Sequence, residues 1–304
     1  MALADVVVLR ALGLGDLLTA VPALRGVRRG LGGRVVLAAP AALAPLALLT
    51  GAVDEVVDTA ALAPLDRALH GAGTAVNLHG RGPQSTARLR ETRPGRLLAY
   101  DVPGGPEWDE DEHERVRWCR LLAAHGLAAD PDDTAVPPPP GEPLARSAVL
   151  VHPGAAYASR RWPAERWAAV ARALSAAGER VLVTGSAAER PLALEVAQRA
   201  GLPADAVLAG ATGLLELVSL VAAARLLLSG DTGTAHVATA VGTPSVVLFG
   251  PASPHRWCAP GQRTRHRVLW SGRTGDVFAE TPDPGLLTLT PAAVLAEAER
   301  ALSV

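Results

Sequence analysis

The sequence predicts an α/β protein made of two Rossmann-like parallel-sheet domains facing across a cleft. Three observations predict it. Short apolar runs alternate with helical patterns along the chain. The alternation breaks once, at an acidic and proline-rich stretch between residues 130 and 143. The 304-residue length suits two domains of roughly 150 residues each. Alternating strands and helices imply parallel sheets covered on both faces, because each crossover lays a helix on the sheet.

The first domain spans residues 1–136. Val6–Leu9, Val35–Ala38, Glu55–Val57, Ala75–Leu78 and Leu97–Tyr100 read as its strands. The segment Met1–Arg10 has no basic leader and is interrupted by Asp5, so it reads as a first strand and not as a signal peptide. Asp16–Arg29 reads as a helix, with Asp16 at or near its N-cap and Val21, Leu24 and Val27 at helical spacing. The charge-free run between Arg34 and Asp54 is broken by Pro40, Pro45 and Gly51. A strand followed by a short buried helix fits it better than a membrane span. Pro64–His70 reads as a short helix. Glu112–Leu127 reads as another, with Val116, Cys119, Leu122 and Ala123 on one face.

A linker at 137–147 begins with four consecutive prolines, which favour an extended, semi-rigid spacer. The second domain, 148–290, restarts the alternation. Ala148–His152, Arg180–Thr184, Leu226–Ser229 and Ser245–Phe249 are strands; Trp162–Ala177, Ala187–Ala200, Leu214–Ala223 and Thr232–Val241 are helices. Pro251–Thr290 reads as irregular. A last helix, Pro291–Leu302 within residues 291–304, is expected to pack back toward the first domain.

Composition excludes several functions. Apolar residues make up 49% and charged residues 19%, ample for packed cores and unlike a disordered chain. The net charge is −1, which argues against a general nucleic-acid binder. All 29 basic residues are arginine, so a Schiff-base or P-loop lysine is impossible. Cys119 and Cys258 form neither a disulfide scaffold nor a zinc site, and the scattered histidines show no metal spacing. A soluble cytoplasmic protein is expected, with no transmembrane segment; docking at the inner face of a membrane stays open.

Parallel sheets bind ligands at the carboxyl ends of their strands, so the loops there are where chemistry is sought. Leu12-Gly13-Leu14-Gly15-Asp16 follows the first strand. A dinucleotide fingerprint would need a third glycine where Leu18 stands. What remains is a carboxylate at a strand-to-helix junction: Asp16 is either a helix cap or a general base for an acceptor hydroxyl. His152-Pro153-Gly154 leads to Arg160-Arg161-Trp162-Pro163, and adjacent guanidinium groups at a strand-end loop suit a pyrophosphate. Ser229-Gly230-Asp231-Thr232-Gly233-Thr234-Ala235-His236 opens a helix with small residues, a natural phosphate cradle to which His236 could donate; Asp231 as a cap and His236 as a core residue are the alternatives. Gly250-Pro251 would form a neighbouring wall, and Asn77-Leu78-His79-Gly80-Arg81-Gly82 could line the first domain's side of the cleft. The acidic run Asp109–Glu112 reads as a solvated helix start, and no DxD pair stands in a loop where it could hold a divalent ion.

Together these motifs resemble glycosyltransferase family 9, which includes the ADP-heptose:lipopolysaccharide heptosyltransferases. Leu14-Gly15-Asp16 with Pro22-Ala23-Leu24, His152-Pro153-Gly154 to Trp162-Pro163, and Asp231-Thr232-Gly233-Thr234-Ala235-His236 carry the resemblance, and they span nearly the whole chain. It implies a GT-B fold with the donor on the second domain, and inversion at the anomeric carbon without a metal or cofactor. It implies Asp16 as the catalytic base. Arg160, Asp231, Thr232, Gly233, Thr234 and His236, with His152 and Gly154, would hold the nucleotide-diphosphate sugar. Gly15, Asn77, His79 and Arg81 would lie on the acceptor side, toward a glycan, glycolipid or small-molecule hydroxyl. Two positions depart from the family: Arg160 stands where a lysine is usual, and Val207-Leu208-Ala209-Gly210 offers no glutamate for the nucleotide ribose. A nucleotide-sugar epimerase or hydrolase and a non-catalytic nucleotide-sugar binder are the competing readings; Asp16 and Asp231 could serve a hydrolase as paired carboxylates.

Overall fold

A computed structural model describes residues 5–258 and 265–303. Residues 1–4 of the expected first strand segment, 259–264 of the stretch read as irregular, and Val304 lie outside the described residues. The chain divides into two compact units, Met1–Pro137 and Pro138–Val304.

The first unit holds a five-stranded parallel sheet in the order β3-β2-β1-β4-β5. Its strands are β1 (Val6–Leu9), β2 (Val35–Ala39), β3 (Glu55–Asp58), β4 (Thr74–Asn77) and β5 (Arg96–Leu98). Val6 is in register with Val35 on one side and Thr74 on the other. Every residue of β1 and β2 is buried, which is why they read as unbroken apolar runs: a central parallel strand is covered on both faces. The helices are α1 (Leu14–Leu31), α2 (Ala44–Leu49), α3 (Gln84–Glu91) and α4 (Glu114–Ala124). Helix α1 lies close on α4 and the segment after it. A Cβ at Gly26 would come within 2.9 Å of Leu122 Cδ1 and 2.7 Å of Ala129 Cβ, so only glycine permits this approach.

Two first-unit elements differ from expectation. Pro64–His70 contains a single 3-10 turn, Arg67–Leu69, closed by Asp66 Oδ1 accepting the Ala68 N–H at 2.8 Å. Leu65 and Leu69 are still buried, but seven residues are too few to repay helix nucleation. Helix α3 was not anticipated; it is polar and buries only Ser85, Thr86 and Leu89.

The second unit has the sheet order β10-β9-β8-β6-β7, again parallel. Its strands are β6 (Val149–His152), β7 (Val181–Val183), β8 (Leu226–Gly230), β9 (Ser245–Phe249) and β10 (His266–Trp270). Its helices are α5 (Ala164–Ala176), α6 (Arg190–Ala200), α7 (Leu214–Ala222), α8 (Gly233–Val241), α9 (Pro254–Trp257), α10 (Pro284–Leu287) and α11 (Pro291–Leu302). The stretch read as irregular thus contains β10 and two short helices. Strand β10 begins with His266 and Arg267, an edge composition that hides its periodicity. Trp162 and Trp167 meet edge to face, ring centres 5.0 Å apart, at the heart of this core. Helix α11, expected to return toward the first half, places Val294, Ala298 and Ala301 in the second unit's core. Among the described residues no helix is long and apolar enough to cross a membrane.

His266 makes this unit sensitive to acid. It is buried, with Nδ1 2.9 Å from Ser245 Oγ. Burial, reinforced by Arg265, pushes its imidazole down to about 4. The unfolded ring takes a proton near 6.5 and the folded one only near 4. Stability from neutral His266 is therefore complete above pH 6.5 and lost as pH falls toward 4. Going from pH 7 to pH 5 should cost about 2 kcal/mol from this residue. Thermal melts should show the drop, and His266→Gln should flatten it; an equal drop in that variant would contradict the assignment.

Candidate active site

In each sheet the strand order reverses beside the first strand of the unit: between β1 and β4 in one, between β6 and β8 in the other. Such switch points are where α/β sheets bind ligands, because adjacent loops diverge there and leave a crevice. The loops singled out in the sequence emerge at these two places.

In the first unit, Gly13 is the N-cap of α1, and Asp16 is the third helical residue, not the cap. Asp16 Oδ2 accepts the Gly13 N–H at 3.2 Å, tying the turn to the helix. Gly15 lies between them in the first turn, half-buried. The Asp16 side chain stays 29% exposed, so it can meet a ligand. Its Oδ1 lies 3.2 Å from Arg10 NH2. Arg10 directly follows β1 and is 1% exposed. It donates from Nε to the Asp16 carbonyl at 3.0 Å and from NH2 to Glu114 Oε1 at 2.9 Å, and it bonds the Leu78 carbonyl through NH1. Its guanidinium also lies 4.9 Å from the Trp118 ring centre. Sequence reading passed over Arg10 and Glu114. The available signal was one charge inside an otherwise apolar stretch from Val6 to Leu12.

Asn77 ends β4 and is fully buried. Its Nδ2 donates to Ser85 Oγ and Thr86 Oγ1, both at 3.0 Å, and its Oδ1 accepts the His79 N–H at 3.0 Å. Asn77 thus holds the loop from within, its side chain spent on these bonds. His79 is better placed: it is partly buried, and its Nδ1 has no hydrogen-bond partner. Burial lowers its pKa, Arg10 lowers it further and Asp16 opposes, so the ring stays neutral at pH 7. Arg81 is exposed, pairs with Asp101 Oδ2 at 2.6 Å, and lines a cavity of about 350 Å³ with Arg90, Tyr100 and Asp101.

In the second unit, His152 ends β6 and is buried. Its Nδ1 is 3.0 Å from Thr184 Oγ1 and its Nε2 3.4 Å from Thr234 Oγ1. Burial lowers its pKa against the pull of Glu189. A neutral ring therefore joins β6 to the first turn of α8. Gly154 has no room for a side chain, because a Cβ there would collide with the Glu189 carboxylate. Glu189 Oε2 is itself fixed by the Ser186 N–H at 2.7 Å and hydroxyl at 2.9 Å.

Glu189, at the start of α6, also stands near Val207–Gly210: a Cβ built on Gly185 would lie 3.2 Å from Glu189 Cβ and 3.3 Å from Ala209 Cβ. In sequence Glu189 lies 37 residues from His152 and 35 from Gly154, which concealed it.

Arg160 closes a 3-10 turn, Ala158–Arg160, whose Ser159 is buried and bonded to Val277 and Ala279. Arg160 NH1 lies 3.4 Å from Asp231 Oδ2, and its buried Nε has no hydrogen-bond partner. Thr232 caps α8 by backbone geometry alone, and its buried Oγ1 also lacks a partner. Gly233 and Thr234 form the first turn, where amide N–H groups have no intrahelical acceptor and point at whatever lies before the helix. His236 is partly exposed, its ring 6.1 Å from that of Trp257. The structure thus gathers Arg160, Asp231, Thr232, Gly233 and Thr234, with His152 packed on Thr234 and Gly154 beside Glu189. The arrangement offers one guanidinium and the open N–H donors of α8 to an anion. Among the described residues, no group of three His, Cys, Asp or Glu side chains could hold a metal ion.

Residues 109–277 match glycosyltransferase family 9 (heptosyltransferase). The chain is 34% identical over 153 residues to lipopolysaccharide heptosyltransferase 2 of Escherichia coli K12, covering 48% of this chain and 44% of that protein. It is 33% identical over 159 residues to the Salmonella typhimurium enzyme of that name, covering 50% and 45%. The matched segments span less than half the length of these relatives. In fold, it matches the structure of E. coli ADP-heptose lipopolysaccharide heptosyltransferase II with a TM-score of 0.78 at 22% identity, covering 98% of both chains. An E. coli heptosyltransferase solved with ADP gives a TM-score of 0.72 at 18% identity, covering 98% of this chain and 99% of the other.

Proposed function

The chain belongs to glycosyltransferase family 9, and on that premise we propose that it moves a heptose or related sugar from a nucleoside-diphosphate donor to an acceptor hydroxyl, inverting the anomeric carbon and using no metal. The observation that carries this is the anion cradle of the second unit: Arg160 NH1 3.4 Å from Asp231 Oδ2, at the amide end of α8. A diphosphate leaving group gains charge as the glycosidic bond breaks, and fixed cations with helix N–H donors stabilise it without reorganising.

On this reading Asp16 removes the proton of the acceptor hydroxyl as its oxygen attacks the anomeric carbon. The carbon–diphosphate bond breaks on the opposite side, and the diphosphate departs onto Arg160, the α8 amides and His236. Glu189 supplies the carboxylate that a ribose hydroxyl would pair with, fixed in place by Ser186. His79 and Arg81 remain the acceptor-side side chains, and Asn77 supports them from below. The fold-matched heptosyltransferases solved with ADP and with an ADP-2-deoxy-2-fluoro heptose make an adenine nucleotide the first donor to try. The acceptor is a glycan, glycolipid or small-molecule hydroxyl, and the reaction is placed in the cytoplasm or at the inner face of a membrane.

The test is a transfer assay with an ADP-sugar in excess chelator, with and without a glycan acceptor. Transfer that survives the chelator and gives a product of inverted anomeric configuration is expected. Loss of activity in chelator would overturn the metal-free scheme. Free sugar released equally fast without acceptor would favour a hydrolase.

A further inference from the structure

The carboxylate of Asp16 is one end of a row of four alternating charges. Arg117 NH1 lies 2.5 Å from Glu114 Oε2, Glu114 Oε1 lies 2.9 Å from Arg10 NH2, and Arg10 NH2 lies 3.2 Å from Asp16 Oδ1. The other three members are all buried, and only Asp16 reaches solvent. Glu114 Oε1 also accepts the Trp118 indole N–H at 2.9 Å. Burial raises the Glu114 carboxyl, but Arg10 and Arg117, with hydrogen bonds from Arg10 and Trp118, outweigh it and hold Glu114 ionised.

We infer that Arg10 is a positioning residue for the catalytic carboxylate, and that Glu114, by sharing the buried guanidinium, leaves Asp16 free to take up a proton. The inference rests on Asp16 being the base. Two physical points carry it. The first is geometric. Arg10 spends its planar fork on the Asp16 carbonyl and carboxylate, on Thr19 Oγ1 at 3.3 Å, on the Leu78 carbonyl and on Glu114. It therefore fixes the first turn of α1 against the end of β4 and against α4, which no single-point cation could do.

The second is electrostatic. A general base loses its charge in mid-reaction. If Arg10 faced Asp16 alone, proton uptake would strand a buried cation, which is costly. Glu114 keeps Arg10 paired throughout, so the ion pair to Asp16 can weaken without that penalty. The charged and titratable groups around Asp16 are Arg10 after β1, His79 after β4, and Glu114 with Arg117 behind Arg10 on α4.

The test compares Arg10→Lys, Glu114→Gln, Glu114→Asp and Asp16→Asn in the full-length protein. Transfer kinetics are followed across pH, with nucleotide affinity and circular dichroism in parallel. Arg10→Lys keeps the charge but loses the fork, and its kcat should fall by about 100-fold with little change in donor KM. Glu114→Gln keeps an acceptor for the indole but not the charge; the acid limb of its kcat profile should move to lower pH by about one unit. Glu114→Asp should restore the wild-type profile. A role in folding alone would alter stability and leave the profile in place, so an unmoved acid limb in Glu114→Gln overturns the inference. Should Glu114→Gln fail to fold, Arg10→Lys decides: wild-type kcat there overturns it. Full turnover in Asp16→Asn would instead refute Asp16 as base, a separate failure from that of Arg10 and Glu114.

Discussion

Replacing Asp16 with alanine should lower the transfer rate by at least about 100-fold, the usual scale for a lost general base, and leave nucleotide binding intact. Asp16 belongs to the first unit, and none of the groups proposed to hold the donor does. Its loss therefore removes the proton acceptor without touching the diphosphate cradle. The structural side effect is small. The Gly13 N–H loses its partner at 3.2 Å, which should cost about 1 kcal/mol of stability, as other helix-start losses do. Arg10 keeps Glu114 at 2.9 Å, so no buried charge is stranded. Single-turnover rates with an ADP-sugar, beside calorimetric titration of ADP, separate the two effects. A variant that turns over at the wild-type rate sinks the base assignment, and one that loses ADP affinity in step with rate would move Asp16 into the donor site.

The sequence was most readable where one residue's neighbours in the chain are also its neighbours in space. The runs Val6–Leu9 and Leu226–Ser229, apolar but for Ser229, announce buried parallel strands, because both faces are covered. The strand-end loops carrying Asp16, Arg160 and Asp231–His236 were legible because the backbone must turn there and small or charged residues stand out. What sequence hid is held together over distance. Arg10 finds Glu114 104 residues away, and only the closed sheet brings α4 beside the end of β1. Glu189 reaches Gly154 from the turn after β7. At Asn77 the sequence hides something else: a polar residue at a strand end invites a ligand role, and the bonds of its amide to Ser85 and Thr86 on α3 cannot be read from the chain. Strand β10 escaped because an edge strand need not be uniformly apolar: it opens with the polar pair His266 and Arg267, and its last four residues are only partly buried.

Arg160 is where the departure from a family lysine can be measured. Its Nε is buried and without a hydrogen-bond partner, while NH1 reaches Asp231 Oδ2 at 3.4 Å, a long ion pair with donor capacity to spare. A bound diphosphate would take up that capacity, leaving the guanidinium to offset the charge of both the diphosphate and Asp231. Arg160→Ala should therefore weaken ADP binding by about 10- to 100-fold, the worth of a charge-assisted bond of 1.5–3 kcal/mol. Adenosine, which lacks the diphosphate, should lose much less. Arg160→Lys should recover part of the affinity by keeping the charge but not the fork. Removing the cation also exposes the diphosphate to Asp231, so Asp231→Asn added to Arg160→Ala should restore some binding; the two effects will not sum, because the groups are in contact. Calorimetry on the wild type, Arg160→Ala, Asp231→Asn and the double variant closes this cycle. Unchanged ADP affinity in both Arg160→Ala and His236→Ala would refute the cradle, whereas equal losses for ADP and adenosine would show that Arg160 shapes the loop through Ser159 instead of binding the anion.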